Sequence, residues 1–240
     1  MEIAAKQGRI GANTLKFIAI IAMLIDHIAW AFVPFASPLG QIMHIIGRIT
    51  APTMCFFIAE GYFHTRDVKK YALRLGIFAV LSHCPFILFE FGKPFVNQFY
   101  TSVIYSLFMG LMALWAWDRI ANPFLKIGAI LLCCILALPG DWACFAVIYV
   151  LIFGANRGNF KKQAIAFSIA SFSMVLLATA MSGNPYSQLF QLGVFLSLPL
   201  IALYNGQKGK GGKFAKWAFY IFYPLHLLII GLIEIYLGGF

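Results

Sequence analysis

Charge is what this chain has least of. Only 11% of its 240 residues are Asp, Glu, Lys or Arg, and eight are acidic. Soluble domains carry roughly 25% charged residues, so this composition cannot clothe a surface facing water. Apolar residues make up 62% of the chain, and the surplus needs lipid. Signatures of soluble enzymes are missing as well. Without HExxH, GxSxG or a phosphate-binding glycine loop, zinc-protease, serine-hydrolase and nucleotide-loop readings have no support. Cys55, Cys84, Cys133, Cys134 and Cys144 lie in apolar runs without CxxC spacing. They read as small buried residues, and neither a metal site nor a disulfide framework is expected. No repeat of 20–50 residues and no second soluble domain interrupts the pattern, so 1–240 reads as a single membrane domain.

What is present is a series of apolar runs long enough to cross a bilayer. Windows of about twenty residues place spans at 15–34, 41–63, 71–91, 99–117, 124–139, 141–154, 164–181, 188–204 and 215–237. The expected fold is therefore all-α, a polytopic transmembrane helical bundle of about nine helices. The first run follows Lys6 and Arg9, as in a signal peptide. It is too long for a signal core and carries Asp26 and His27, so it reads as a retained first helix.

The net charge of +10 does not indicate nucleic acid, because the basic residues flank the apolar runs in short clusters. With the N-terminus in the cytoplasm, Lys6 and Arg9, Arg66–Arg74, Arg119 and Lys126, Arg157–Lys162 and Lys208–Lys216 all fall on one side. Together these segments hold fifteen positive residues, whereas the opposite segments, Pro34–Gly40, Phe91–Gln98, Pro139–Asp141, Ser182–Ser187 and the C-terminal tail, hold only Lys93. The positive-inside rule then fixes the orientation. It also decides that 124–154, interrupted by Pro139-Gly140-Asp141, is two short segments, since a single span would invert every later cluster. A multi-pass protein of a bacterial inner membrane is the expectation.

Ionisable groups inside lipid cost several kcal/mol and tend to face a bundle interior. Those expected there are Lys16, Asp26 and His27 in the first span, His44, Arg48 and Glu60 in the second, His83 in the third, and His226 and Glu234 in the ninth. Lys16 and His27, eleven residues apart, share a helix face about 16 Å apart along the axis, a stripe suited to an elongated ligand. Lys16 is also placed where a lysine simply reaches the interface. His44, Arg48 and Pro52 share a face, and Pro52 is expected to kink its helix. Asp26 can either fix the tautomer of His27 for general-base work or pair structurally with Arg48. His83 and His226 read more readily as hydrogen-bonded core residues than as catalysts.

Several of these segments look familiar together. Leu15-Lys16-Phe17 through Leu24-Ile25-Asp26-His27, Gly47-Arg48-Ile49-Thr50-Ala51-Pro52, Phe56-Phe57-Ile58-Ala59-Glu60-Gly61-Tyr62 and Phe222-Tyr223-Pro224-Leu225-His226 resemble the TraX family. That family is known for an F-pilin acetylase acting in conjugation, and is similar to membrane acyltransferases with an Arg/Lys-x10-His motif on the first helix. Lys16-x10-His27 has that spacing.

The resemblance implies acetyl transfer from cytosolic acetyl-CoA to an amine or hydroxyl, on a protein N-terminus or a surface glycan, with His27 at the reaction centre. Asp26 would orient His27 and Arg48 would steady the oxyanion. Lys16, Arg66, Lys69, Lys70 and Arg74 would meet the CoA phosphates. His44, Glu60, His83, Tyr223 and His226 are further lining candidates. The partners implied are membrane lipid, acetyl-CoA and the acceptor, with no nucleic acid. A proton-coupled secondary transporter using Asp26, His27, Glu60 and His83 as a relay is the alternative. A non-catalytic assembly factor is a third reading.

Overall fold

The computed structural model describes residues 8–93, 100–209 and 212–239. Lys6, Lys210 and most of the segment Phe91–Gln98 lie outside these residues, as do the side chains of Lys213 and Lys216. Among the described residues the fold is all-α, with no strand. The elements are α1 (Ala12–Phe32), α2 (Pro38–Gly47), α3 (Thr50–His64), α4 (Val68–Leu81), α5 (His83–Phe91) and α6 (Val103–Arg119). They continue with α7 (Pro123–Leu136), α8 (Ala143–Ala155), α9 (Phe160–Ser182), a 3-10 helix (Pro185–Leu196), α10 (Ser197–Ala202) and α11 (Gly212–Tyr236).

Every expected apolar run is helical. Among the described residues, five stretches are long and apolar enough to cross a membrane, namely Ala12–Phe32, Pro38–His64, Val68–Phe91, Phe160–Ser182 and Trp217–Tyr236. Pro123–Leu136, Ala143–Ala155 and Tyr186–Ala202 are shorter apolar helices. The stretch 124–154 forms two helices, α7 and α8, around the turn at Pro139-Gly140-Asp141.

Local sequence explains where helices begin and break. The side chains of Ser37, Asp67, Asn122, Asn159 and Asn184 each accept a backbone N–H from the first turn that follows, satisfying donors that a helix start leaves orphaned. Pro38, Pro123 and Pro185 follow three of these caps, where a missing N–H costs nothing. The second run breaks at Arg48-Ile49, between α2 and α3. Pro52 has no N–H for the Arg48 carbonyl, so the ladder cannot pass that point without a fault. Ser82 and Pro85 divide α4 from α5 in the same way.

The chain forms two compact units, the division falling inside α3 and α11. The first comprises the described residues up to Met54 together with Gly158–Phe222. Here α1 packs on α2, α2 on the 3-10 helix and the 3-10 helix on α9. Gly193 lies directly against the backbone of Ile45, an approach that a Cβ would prevent. The start of α1 is strapped to a basic loop, with Ala12 N–H donating to the Gln207 carbonyl at 2.8 Å and Asn13 N–H to that of Lys208 at 3.0 Å.

The second unit comprises Cys55–Arg157 and Tyr223–Gly238. Its centre is α6, packed by α4, α7 and α8. Tyr149, Phe153, Leu111 and Leu114 are fully buried in it. Gly110 against Val150 and Gly154 against Leu114 let α6 and α8 come close.

A buried carboxylate between an imidazole and a guanidinium

The candidate functional site lies in the first unit. Asp26 on α1 and His44 and Arg48 at the end of α2 meet there. His44 Nδ1 lies 2.7 Å from Asp26 Oδ1, and Arg48 Nη2 donates to Asp26 Oδ2 at 2.7 Å. The Asp26 side chain is 8% exposed, that of Arg48 14% and that of His44 0%. A lone carboxylate at this depth would cost several kcal/mol in lost hydration; two charge-assisted bonds offset that cost.

The local sequence builds this contact. His44 and Arg48 are four residues apart, so one face of α2 carries both. Gly47 sits between them, and a Cβ there would collide with the Asp26 carboxyl. The glycine is therefore what lets α1 and α2 close over the acid. One turn further, the Thr50 hydroxyl donates to the Ala19 carbonyl at 2.9 Å, tying the start of α3 to α1.

The tautomer of His44 follows from its partner. An ionised carboxylate only accepts, so Nδ1 carries a proton, and in the neutral ring Nε2 is the nitrogen with the lone pair. Around the imidazole stand Trp30, Phe35 and Phe190, with ring centroids 4.3, 5.4 and 5.6 Å from it. Trp30 and Phe35 are stacked, and Phe190 also lies under the Arg48 guanidinium at 5.2 Å. His44 Nε2 is buried with no hydrogen-bond partner among the described residues.

His27 is half-buried and within electrostatic reach of Asp26. Consecutive helical residues point about 100° apart, so His27 leaves α1 in a different direction from the carboxylate. Both oxygens of Asp26 are taken by residues of α2. Lys16 lies further down α1, its ammonium 5.5 Å from the Phe219 ring and within reach of the Lys208 charge.

Other candidates belong to the second unit. Glu60 takes two bonds from Arg157, at 2.9 and 3.4 Å, with His64 beside them. His83 Nδ1 is 3.2 Å from the Thr101 hydroxyl. Tyr223 and His226 are buried neighbours, their rings 5.7 Å apart. Arg66, Lys69 and Lys70 are exposed around the start of α4, and Arg74 lies over the Tyr71 ring. Asp67, between Arg66 and Lys69, caps α4. The Lys70 amide holds its carboxyl below the usual carboxylate range, and the Lys70 ammonium, 3.5 Å away, adds to this.

Sequence reasoning placed His44 only among lining residues and offered Asp26 to His27 or to Arg48. It quoted Gly47 only within the family segment, with no role, and did not single out Trp30, Phe35 or Phe190. Two of these carried a signal, because Trp30 is one turn beyond Asp26 on the same face and Gly47 immediately precedes Arg48. Phe190, about 150 residues distant, carried none.

Membrane-length apolar helices and a buried Asp–His–Arg cluster mark an all-helical protein of membrane type. The chain belongs to the TraX family, whose model, described as TraX protein, matches residues 11–234. It is similar to a protein of Dichelobacter nodosus named as a probable fimbrial assembly protein, FimC of serogroup H1. The two are 34% identical over 210 residues, covering 82% of this chain and 85% of that one. An uncharacterized protein of Rickettsia prowazekii (strain Madrid E) is 23% identical over 222 residues, covering 80% and 87%. No solved structure matches the chain.

Proposed function

We propose that this protein is a multi-pass acyltransferase of the bacterial cytoplasmic membrane, crossing it about nine times with its N-terminus inside. On this reading it moves an acetyl group from acetyl-CoA to an amine or hydroxyl. The observation that carries the reading is the Asp26–His44–Arg48 centre next to His27, on the helix that also carries Lys16. An imidazole held by a carboxylate and a fixed cation are what transfer from a thioester needs: a proton acceptor and a group to face the developing oxyanion.

In the reaction, the acceptor N or O attacks the thioester carbonyl. The new C–N or C–O bond forms as the C–S bond breaks. A site imidazole takes the proton from the acceptor and returns it to the CoA sulfur. Family resemblance gives the reaction centre to His27 and the phosphate contacts to Lys16. The pairing of Lys16 with Lys208 at the start of α1 suits an anionic ligand, and the exposed Arg66, Lys69 and Lys70 offer further cations. The fimbrial name of the Dichelobacter relative favours a pilus subunit N-terminus as acceptor.

Acetyl-CoA binding and slow hydrolysis by detergent-purified protein test this reading without knowledge of the acceptor. Saturable binding weakened about tenfold in Lys16→Ala, with turnover lost in His27→Ala, is the expected result. Folded protein that neither binds nor hydrolyses acetyl-CoA, yet takes up a solute driven by a proton gradient, would instead make the polar centre a transport relay.

A further inference from the structure

The hydrogen bonds of Asp26 separate two histidines that the sequence motif does not. The imidazole that this carboxylate orients is His44, through Nδ1, at 2.7 Å. The opposite nitrogen, Nε2, is fully buried and without a hydrogen-bond partner among the described residues, and in the neutral ring it carries the lone pair. A buried acceptor left unmet costs about 1–3 kcal/mol, a cost removed when a ligand brings an N–H or O–H to it. Its surroundings suit such a ligand. Trp30, Phe35 and Phe190 pack around the ring. Trp30 is 45% exposed, so on that side one side chain separates the imidazole from the surface of the unit.

We propose that His44 is a second imidazole of the reaction, the one whose Nε2 takes the proton of the acceptor, leaving His27 on the thioester side. The proposal rests on the acetyl-transfer reading above. Asp26 fixes the tautomer of His44 and balances its charge once it is protonated. Arg48 occupies the other carboxylate oxygen, so the acid stays ionised and the His44 proton stays on Nδ1. As the acceptor attacks, its proton passes to Nε2, its nitrogen or oxygen bonds the acetyl carbon and the CoA thiolate departs. The proton taken by Nε2 then passes to the departing CoA sulfur, and His44 returns to the neutral form.

His44→Asn tests the assignment, because the asparagine amide keeps a donor where Nδ1 stood and removes the base. Two probe acceptors are compared in the full chain. Water requires proton removal as it attacks a thioester. Hydroxylamine is uncharged at neutral pH and nucleophilic enough to attack without it. In His44→Asn, protein-dependent hydrolysis of acetyl-CoA should fall about 100-fold, the usual worth of a general base. Acetyl-CoA binding and transfer to hydroxylamine should stay within about threefold of wild type.

Unchanged hydrolysis would overturn the proposal. Equal loss with both acceptors in protein that still binds acetyl-CoA would also overturn it, by making His44 structural. Absence of turnover in the wild type would instead remove the acetyl-transfer reading itself, and this assignment with it. Should His44→Asn fail to fold, His44→Gln, with its amide near the Nε2 position, carries the same comparison.

Discussion

Asp26 shows how one residue sets the chemistry of a buried polar site. Its charge is tolerable only because His44 and Arg48 take an oxygen each, so the three side chains stand or fall together. Arg48→Ala leaves a buried carboxylate half compensated and should cost about 3–5 kcal/mol, measured by thermal unfolding in detergent with a folded-state probe. Adding Asp26→Asn to that variant removes the stranded charge and should recover more than half of the loss. A purely additive double variant would show that the pair contributes nothing beyond its separate side chains. Part of this triad was legible in sequence. Spacing alone put His44 and Arg48 on one face, and pairing of Asp26 with Arg48 was one of two open readings. The capture of His44 was not legible, because it depends on how closely α1 and α2 approach, and Gly47 sets that distance.

At the scale of single elements, the fault at Pro52 and the turn at Pro139-Gly140-Asp141 were legible in sequence, whereas the caps went unread. The polar caps ahead of α2, α4, α7, α9 and the 3-10 helix, and the prolines just past the two breaks, act locally, through backbone donors that must find partners. Asp67 at the start of α4 gives a pH test of this. Its carboxyl is held below its ordinary value of 3.8 by the Lys70 amide and ammonium. The folded state therefore binds that proton less readily than the unfolded chain does. The cap stabilises α4 fully above the ordinary value and loses its effect as pH falls through the lower folded one. Hydrogen exchange of the Lys69–Tyr71 amides, corrected for intrinsic rate, should show protection at neutral pH that fades in this acid window. Asp67→Ala should lack that protection throughout. The 3-10 character of Pro185–Leu196 had no such local signature. Its apolar run reads as an ordinary span, and the tight approach of Gly193 to Ile45 is a property of the packed unit.

For the whole molecule, lipid makes apolar run length nearly sufficient to find the helices, which is why every run proved helical. What run length cannot supply is the grouping of helices, and the division inside α3 and α11 has no mark in composition. Orientation rests on charge alone, and labelling tests it directly. In a cysteine-free background, a cysteine replacing Ser37 should react with a membrane-impermeant maleimide on intact cells, and one replacing Asn159 only after the membrane is opened. The reverse pattern would invert the proposed topology. The α7–α8 pair carries one more consequence. Thr101 is strapped to its turn, donating to the Pro139 carbonyl at 2.8 Å and accepting from the Asp141 amide at 2.9 Å. No residue of α7 is fully buried. At about 21 Å and 20 Å by helical rise, each helix is shorter than the roughly 30 Å hydrocarbon core. On the proposed multi-pass topology, neither is long enough to be released from the translocon as a free-standing anchor. The ribosome must therefore deliver both before either is secure, and the strap at Thr101, already synthesised with α6, is waiting to receive the hairpin when it arrives.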